Sequence, residues 1–324
     1  MSGKSAPLIL KADATACGAA AAQLRAGGLV ALPTETVYGL AARADSESAV
    51  AAIYRAKGRP DFNPLIVHVS ALAQAEALAA FDHRARALAA RFWPGALTIV
   101  LPLREGAGIA PAVTAGLPTI ALRCPAHRVM QAVMKATGLP LAAPSANRSG
   151  GVSPTSAGHV AASLGDAVEL ILDGGNSEQG IESTIVALRP LGWALLRPGP
   201  ITHDQLAEIM GEVADAVTSL SRAIEAPGQL ASHYSPGKPV RLHAREAGPG
   251  EFHIGFGAVP GDVTLSATGD CAEAASRLYA CLHLAAAASP PRIAVARVPD
   301  EGIGAAINDR LRRAAAPWSG DWEM

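Results

Sequence analysis

Short aliphatic runs alternate with longer, alanine-rich stretches along the first two thirds of the chain. Residues 14–26 hold good helix formers and run into Gly27-Gly28, a C-terminal stop, which predicts a helix. Residues 29–32 then read as a short buried strand that Pro33 ends. The alternation continues with strands predicted at 65–69, 97–103, 119–123 and 139–142, and helices at 72–92 and 127–137. Strands at 168–172, 183–188 and 193–196 precede a predicted helix at 204–210. Continuous aliphatic strands separated by helices imply an α/β layer architecture, its sheet covered on at least one face.

The rhythm breaks after about Val217. Pro227, Gly228, Pro236, Gly237 and Pro239 exclude a continuous helix or central strand over 226–239, so this stretch reads as an interdomain linker. Beyond it, strands predicted at 240–243, 251–255, 263–266 and 292–298, with helices at 272–287 and 303–314, make a second, smaller α/β unit. The expected division is a first domain over 1–212, a Pro/Gly-rich linker over 213–239 and a C-terminal domain over 240–324, which suits a length of 324 residues. Gly255-Phe256-Gly257 follows a predicted strand, but Gly261 is one place late for a dinucleotide fingerprint and follows Pro260, so a turn is predicted there.

Composition narrows the classes. Half of the residues are apolar, yet there are only four Trp, five Phe and four Tyr, so the cores are aliphatic and stacking platforms for single-stranded nucleic acid are scarce. A net charge of −1 leaves neither a basic arm nor an acidic tail. Cys17, Cys124, Cys271 and Cys281 fall singly, without the paired spacing of a zinc site or disulfide framework. Apolar stretches are broken well before the ~18 residues a membrane span needs, so a soluble, cytoplasmic protein is expected.

The candidate chemistry sits at predicted strand ends, where α/β proteins open their binding crevices. Pro33-Thr34-Glu35-Thr36-Val37-Tyr38-Gly39-Leu40 sets two hydroxyls and a carboxylate just past a strand. Alone it reads equally as a turn whose threonines bond local backbone. Lys57-Gly58-Arg59-Pro60 then flanks a glycine with two cations that can face one anion, while His68 lies inside an aliphatic strand. Pro144-Ser145-Ala146-Asn147 follows another apolar run, with Ser153 just beyond, and Arg123 and Arg197 each end a strand. Cations recurring at strand ends in a nearly neutral chain describe an anion site, suited to a triphosphate and a carboxylate.

In combination these segments resemble the YrdC-type threonylcarbamoyl-AMP synthases. The resemblance is carried by residues 33–40, by the Lys57-x-Arg59 and Ser145-x-Asn147 pairs, and by Ile181-Glu182-Ser183-Thr184-Ile185-Val186. His233-Tyr234-Ser235-Pro236 and Ala306-Ile307-Asn308-Asp309-Arg310-Leu311 are similar to the long, two-domain form. The resemblance implies a mixed-sheet catalytic domain with a smaller, Rossmann-like α/β domain. It implies an enzyme joining L-threonine, bicarbonate or CO2, and ATP into L-threonylcarbamoyl-AMP, with Mg²⁺ accompanying the nucleotide and no dedicated metal ligands. The product would feed a separate transferase complex that modifies tRNA.

Position by position, the resemblance assigns ATP contacts to Arg59, Asn63, Thr119, Ser145, Ser153, Arg197 and Tyr234. It assigns L-threonine contacts to Thr36, His68, Arg123, Ala143 and Ser183, while Lys57 and Asn147 join Arg59 and Ser145 as the expected catalytic group. Lys57, Arg59 and Arg197 are expected to neutralise phosphate oxygens, and the linker to act as a lid carrying Tyr234 to the nucleotide. Two other readings compete. One is the carbamoyl-transfer chemistry of hydrogenase-maturation proteins, which carry zinc-type cysteine pairs that this chain lacks. The other is a double-stranded RNA-binding or ribosome-associated factor with weak RNA binding, which would need a basic face.

Overall fold

The computed structural model describes residues 6–60, 62–211, 225–228 and 233–316. The first domain contains strands β1 (Leu8–Lys11), β2 (Val30–Leu32), β3 (Gly39–Arg43), β4 (Ile66–His68), β5 (Leu97–Pro102), β6 (Thr119–Arg123), β7 (Leu141–Ala142), β8 (Leu170–Asp173), β9 (Thr184–Arg189) and β10 (Gly192–Arg197). They form one sheet in the order β1-β8-β2-β3-β7-β4-β6-β5-β9-β10. The sheet is mixed: β4 runs parallel to β6 and β5 to β9, whereas β3, β7 and β4 pair antiparallel in turn.

Helices α1 (Ala14–Arg25), α2 (Glu47–Lys57), α3 (Leu72–Leu78), α4 (His83–Phe92), α5 (Pro111–Thr114), α6 (Arg128–Thr137), α7 (Ala157–Leu164) and α8 (His203–Met210) pack around it. The α1 and α6 helices share an aliphatic core with β2 and β8, including Leu24, Met130, Val133, Leu32 and Leu172. A larger core holds Ile53 of α2, Leu88 of α4 and Val160 of α7 against Leu40, Val67 and Ile99 of the sheet. Each of these side chains is fully removed from water, and burial of this kind contributes roughly 1.5–3 kcal/mol per large aliphatic residue.

The expected helix over 72–92 is two helices. Ala79 leaves helical geometry to bridge Leu103, and Asp82 caps α4 by accepting from the Ala85 amide at 2.8 Å. The β1 and β3 strands and the α2, α5 and α7 helices were not predicted. The α2 helix nevertheless carries ordinary end signals, a Ser46 cap and Gly58 in the left-handed region at φ 58°.

In the second domain, β11 (Val240–Arg241), β12 (Glu251–Gly255), β13 (Val263–Thr264) and β14 (Arg292–Val295) form an all-parallel sheet ordered β11-β14-β12-β13. Two helices, α9 (Cys271–Ala287) and α10 (Ile303–Ala315), cover it. The expected turn after β12 is present, with Phe256 and Val259 exchanging backbone hydrogen bonds. The core of this domain takes in Val37, Val152 and Ile181 of the first, so the two share apolar packing at the loops that carry the candidate motifs. Most of the expected linker, residues 213–224 and 229–232, lies outside the described residues.

Candidate active site

The loop between β2 and β3 is built around Thr34. Its Oγ1 accepts from the amides of Thr36 and Val37 and donates to the Val37 carbonyl at 2.6 Å, which turns Glu35 and Thr36 inward. The local turn and the functional loop are thus the same structure. Facing it, the parallel register of β4 and β6 sets His68 beside Arg123 at the ends of both strands. Arg123 donates to Thr36 Oγ1 at 2.8 Å, to Glu35 Oε1 at 2.7 Å and to the Gly95 carbonyl at 3.1 Å. Burial alone would push the Glu35 carboxyl up, but the Arg123 charge and hydrogen bond outweigh it and hold it below the usual range. His68 is pushed down to about 3 by burial and by Arg123, so its imidazole is neutral at physiological pH. Its Nδ1 is buried without a hydrogen-bond partner.

A second cation cluster lies alongside. Arg197 ends β10 just past a register irregularity between Leu195 and Arg197, and it donates to the Ser183 carbonyl at 3.1 Å and Oγ at 3.2 Å. Ser183 Oγ also shares a hydrogen bond with Thr98 at 2.8 Å. Arg59 donates to the Asn63 and Pro64 carbonyls at 3.3 and 3.1 Å. Burial lowers the Arg59 guanidinium to about 10, leaving it charged at neutral pH.

The linker closes the wall. Ser235 donates its amide to Gly150, and Tyr234 before it takes a positive φ of 63°, a conformation uncommon outside glycine. The Tyr234 ring is buried and its hydroxyl has no partner. Pro227 accepts from Arg197, and a Cβ added at Gly228 would sit 3.0 Å from the Arg197 side chain and 3.2 Å from the Tyr234 hydroxyl. With its φ of 86° as well, the position favours glycine.

These parts enclose one cavity of about 50 Å³, well below the ~300–1,000 Å³ of small-molecule sites. All five positions assigned to threonine, Thr36, His68, Arg123, Ala143 and Ser183, line it. Arg59, Ser145, Arg197 and Tyr234 line it as well.

Five expected residues do not form this wall. Lys57 is buried with its side-chain nitrogen donating at 2.5 Å to the carbonyls of both Ser145 and Asn147, so it braces that loop. Asn147 donates to the Arg148 and Gly151 carbonyls and shapes the next turn. Asn63 supports Arg59 through its carbonyl, and Ser153 Oγ donates to Glu182 at 2.6 Å behind the wall. Thr119 starts β6, four residues and roughly 13 Å from Arg123, at the opposite end of that strand.

Two residues that matter here were not singled out from sequence: Glu35, which orients Arg123, and Glu182, which lies on the wall and takes three hydrogen bonds, from Ser153, Tyr279 and Arg310. Both stood inside the quoted motifs. The available signal was an acid embedded in an otherwise cationic set, which calls for a buried partner.

Comparison with known proteins identifies the family and the fold. Residues 22–199 match the Sua5/YciO/YrdC family model, described as telomere recombination, and residues 201–316 match the model of the threonylcarbamoyl-AMP synthase C-terminal domain. The threonylcarbamoyl-AMP synthase of Bacillus subtilis (strain 168) is 40% identical over 318 residues, covering 91% of this chain and 92% of that protein. The Pyrococcus abyssi enzyme of the same name is 38% identical, covering 91% and 93%. A crystal structure of P. abyssi Sua5 complexed with L-threonine superposes with a TM-score of 0.85 at 35% identity, covering 95% of this chain and 96% of that one. The chain belongs to the threonylcarbamoyl-AMP synthase family, in its two-domain form.

Proposed function

We propose that the protein joins L-threonine, bicarbonate or CO2, and ATP into L-threonylcarbamoyl-AMP, releasing pyrophosphate. The observation that carries this reading is the convergence of Arg59, Arg123 and Arg197 on one buried cavity, together with the small polar groups of Thr36, Ser145 and Ser183. Arg123 takes the threonine carboxylate, with its angle set by Glu35. Neutral His68 offers its unpartnered Nδ1 to the amino acid. Arg59 and Arg197 take phosphate oxygens, and Tyr234 lies against the nucleotide.

The amine of threonine adds to CO2 and loses a proton, giving a carbamate. A carbamate oxygen then attacks the α-phosphorus of ATP while the bond to the β-phosphate oxygen breaks and pyrophosphate leaves. The nucleophile is supplied by substrate, so the protein contributes positioning and fixed positive charge. Mg²⁺ bound to the nucleotide would neutralise phosphate charge there. Glu35 and Glu182 are both paired with arginines.

Linker residues Pro227, Gly228, His233 and Tyr234 line the cavity, and in this reading the linker shields the adenylate from water. The adenylate then passes to a transferase complex acting on tRNA, in the cytoplasm. No helix among the described residues is long and apolar enough to cross a membrane.

Mass spectrometry of a mixture of protein, ATP, Mg²⁺, L-threonine and ¹³C-bicarbonate tests the reaction. Threonylcarbamoyl-AMP carrying the label is expected, with none from serine or without bicarbonate. ATP turnover that is indifferent to threonine would contradict it.

A further inference from the structure

The Ala306-Ile307-Asn308-Asp309-Arg310-Leu311 segment lies on α10, and none of it lines the cavity. Arg310 is nevertheless fully buried at the junction of the two domains. Its Nε donates to Glu182 at 3.0 Å and an Nη donates to the Pro198 carbonyl at 2.9 Å, both in the first domain. Its guanidinium carbon sits 5.5 Å from the centre of the Tyr234 ring in the linker, within cation–π range. Asp309 pairs with the same guanidinium at 2.9 Å.

Two residues of α9 converge on the same place. Tyr279 donates its hydroxyl to Glu182 at 2.8 Å, and His283 Nε2 lies 3.1 Å from the Ser153 carbonyl. Ser153 is therefore held at both ends from the second domain: its hydroxyl through Glu182, its main chain through His283. Burial alone would raise the Glu182 carboxyl, but Arg310 and Arg197, with the Ser153 and Tyr279 hydrogen bonds, hold it at about 2. The Arg123 end of the cavity has no such dependence, since its hydrogen bonds go to Thr36, Glu35 and Gly95 of the first domain.

We propose that Arg310 is a positioning residue for the nucleotide. Through Glu182 it fixes the cavity wall, and through the face of Tyr234 it fixes the linker, so ATP affinity depends on the docked second domain while L-threonine affinity does not. The inference rests on the assignment of Tyr234 to the nucleotide side.

Separate calorimetric titrations of a non-hydrolysable ATP analogue and of L-threonine into the full chain test it, using wild type, Arg310→Gln, Arg310→Lys and Tyr279→Phe, with folding checked by circular dichroism. Arg310→Gln is expected to weaken the ATP analogue at least about tenfold and Tyr279→Phe about threefold, with threonine within about twofold throughout. Arg310→Lys, which keeps the charge and loses the planar fork, should fall between wild type and Arg310→Gln. A folded Arg310→Gln that binds the analogue like wild type, or that loses both ligands equally, overturns the proposal. If Arg310→Gln does not fold, Tyr279→Phe decides, and unchanged analogue affinity in it is the overturning result. Wild type that binds no analogue sinks the nucleotide assignment as well, whereas normal wild-type binding with an indifferent Arg310→Gln sinks only the positioning role.

Discussion

Two buried Arg–Glu pairs border the cavity, and they are built in different ways. Arg123 and Glu35 meet at 2.7 Å within one domain, at the end of β6 and in the loop that follows β2. Arg310 and Glu182 meet at 3.0 Å across the domain junction, 128 residues apart in sequence. The first pair is fixed by sheet register, the second by docking of α10. A buried ion pair is often no more stable than an apolar replacement, yet removing one partner costs several kcal/mol because a lone charge is stranded. Such pairs therefore serve better as registers than as glue. Here one registers the threonine end to the sheet, and the other registers the nucleotide end to the second domain.

The largest expected effect is at Arg123. Arg123→Ala strands Glu35 in a buried setting and removes the proposed carboxylate clamp, so threonine-dependent turnover should fall by more than about 100-fold and stability by about 3–5 kcal/mol. Initial rates with denaturant unfolding check both. Turnover within about tenfold of wild type would break the threonine half of the comparison.

Next is Gly228→Ala, at a φ of 86° and with 3.0 Å to the Arg197 side chain. Strain and crowding there should raise the KM for ATP about five- to tenfold with the threonine KM unchanged, a split that steady-state kinetics reads directly.

The acid dependence separates the pairs from the histidines. Glu182 titrates at about 2 in the folded protein against an ordinary value of 4.5, so its contribution to stability is present above pH 4.5 and fades as pH falls towards 2. Glu35 acts in the same direction. Glu182→Gln should therefore flatten the acid-unfolding profile below pH 4.5. His68, at about 3, binds fewer protons folded than unfolded across pH 3–6.5, so it too withdraws stability as pH falls, but it should leave no acid limb in kcat/KM for threonine near pH 6.5. An inflection near pH 6.5 that His68→Gln abolishes would contradict the neutral, buried imidazole. The smallest effect is a control. Asp82→Ala removes the α4 cap at a cost of about 1 kcal/mol and should leave both KM values alone.

How far the molecule is legible from sequence follows the same division. The aliphatic strands and the residues at their ends could be read because burial and period leave a local imprint, as Thr36, His68, Arg123 and Ser183 illustrate. The 72–92 stretch could not be divided, since alanine suits both helices and the break depends on Ala79 pairing with Leu103. Lys57 reads as a phosphate ligand from its spacing alone, and its bracing of the Ser145 and Asn147 carbonyls is visible only in the fold. Glu182 and Arg310 were each inside a quoted motif, but their pairing is a property of domain docking, which no local pattern encodes.

Initial-rate kinetics of Arg123→Lys and Arg59→Lys, with the KM of ATP and of L-threonine measured separately, tests the two-ended cavity most directly. A crossed result is predicted: Arg123→Lys raises the threonine KM and spares ATP, whereas Arg59→Lys, whose hydrogen bonds among the described residues go to the Asn63 and Pro64 carbonyls, raises the ATP KM and spares threonine, each by about tenfold or more. Equal loss of both substrates in either variant would contradict the division of the site.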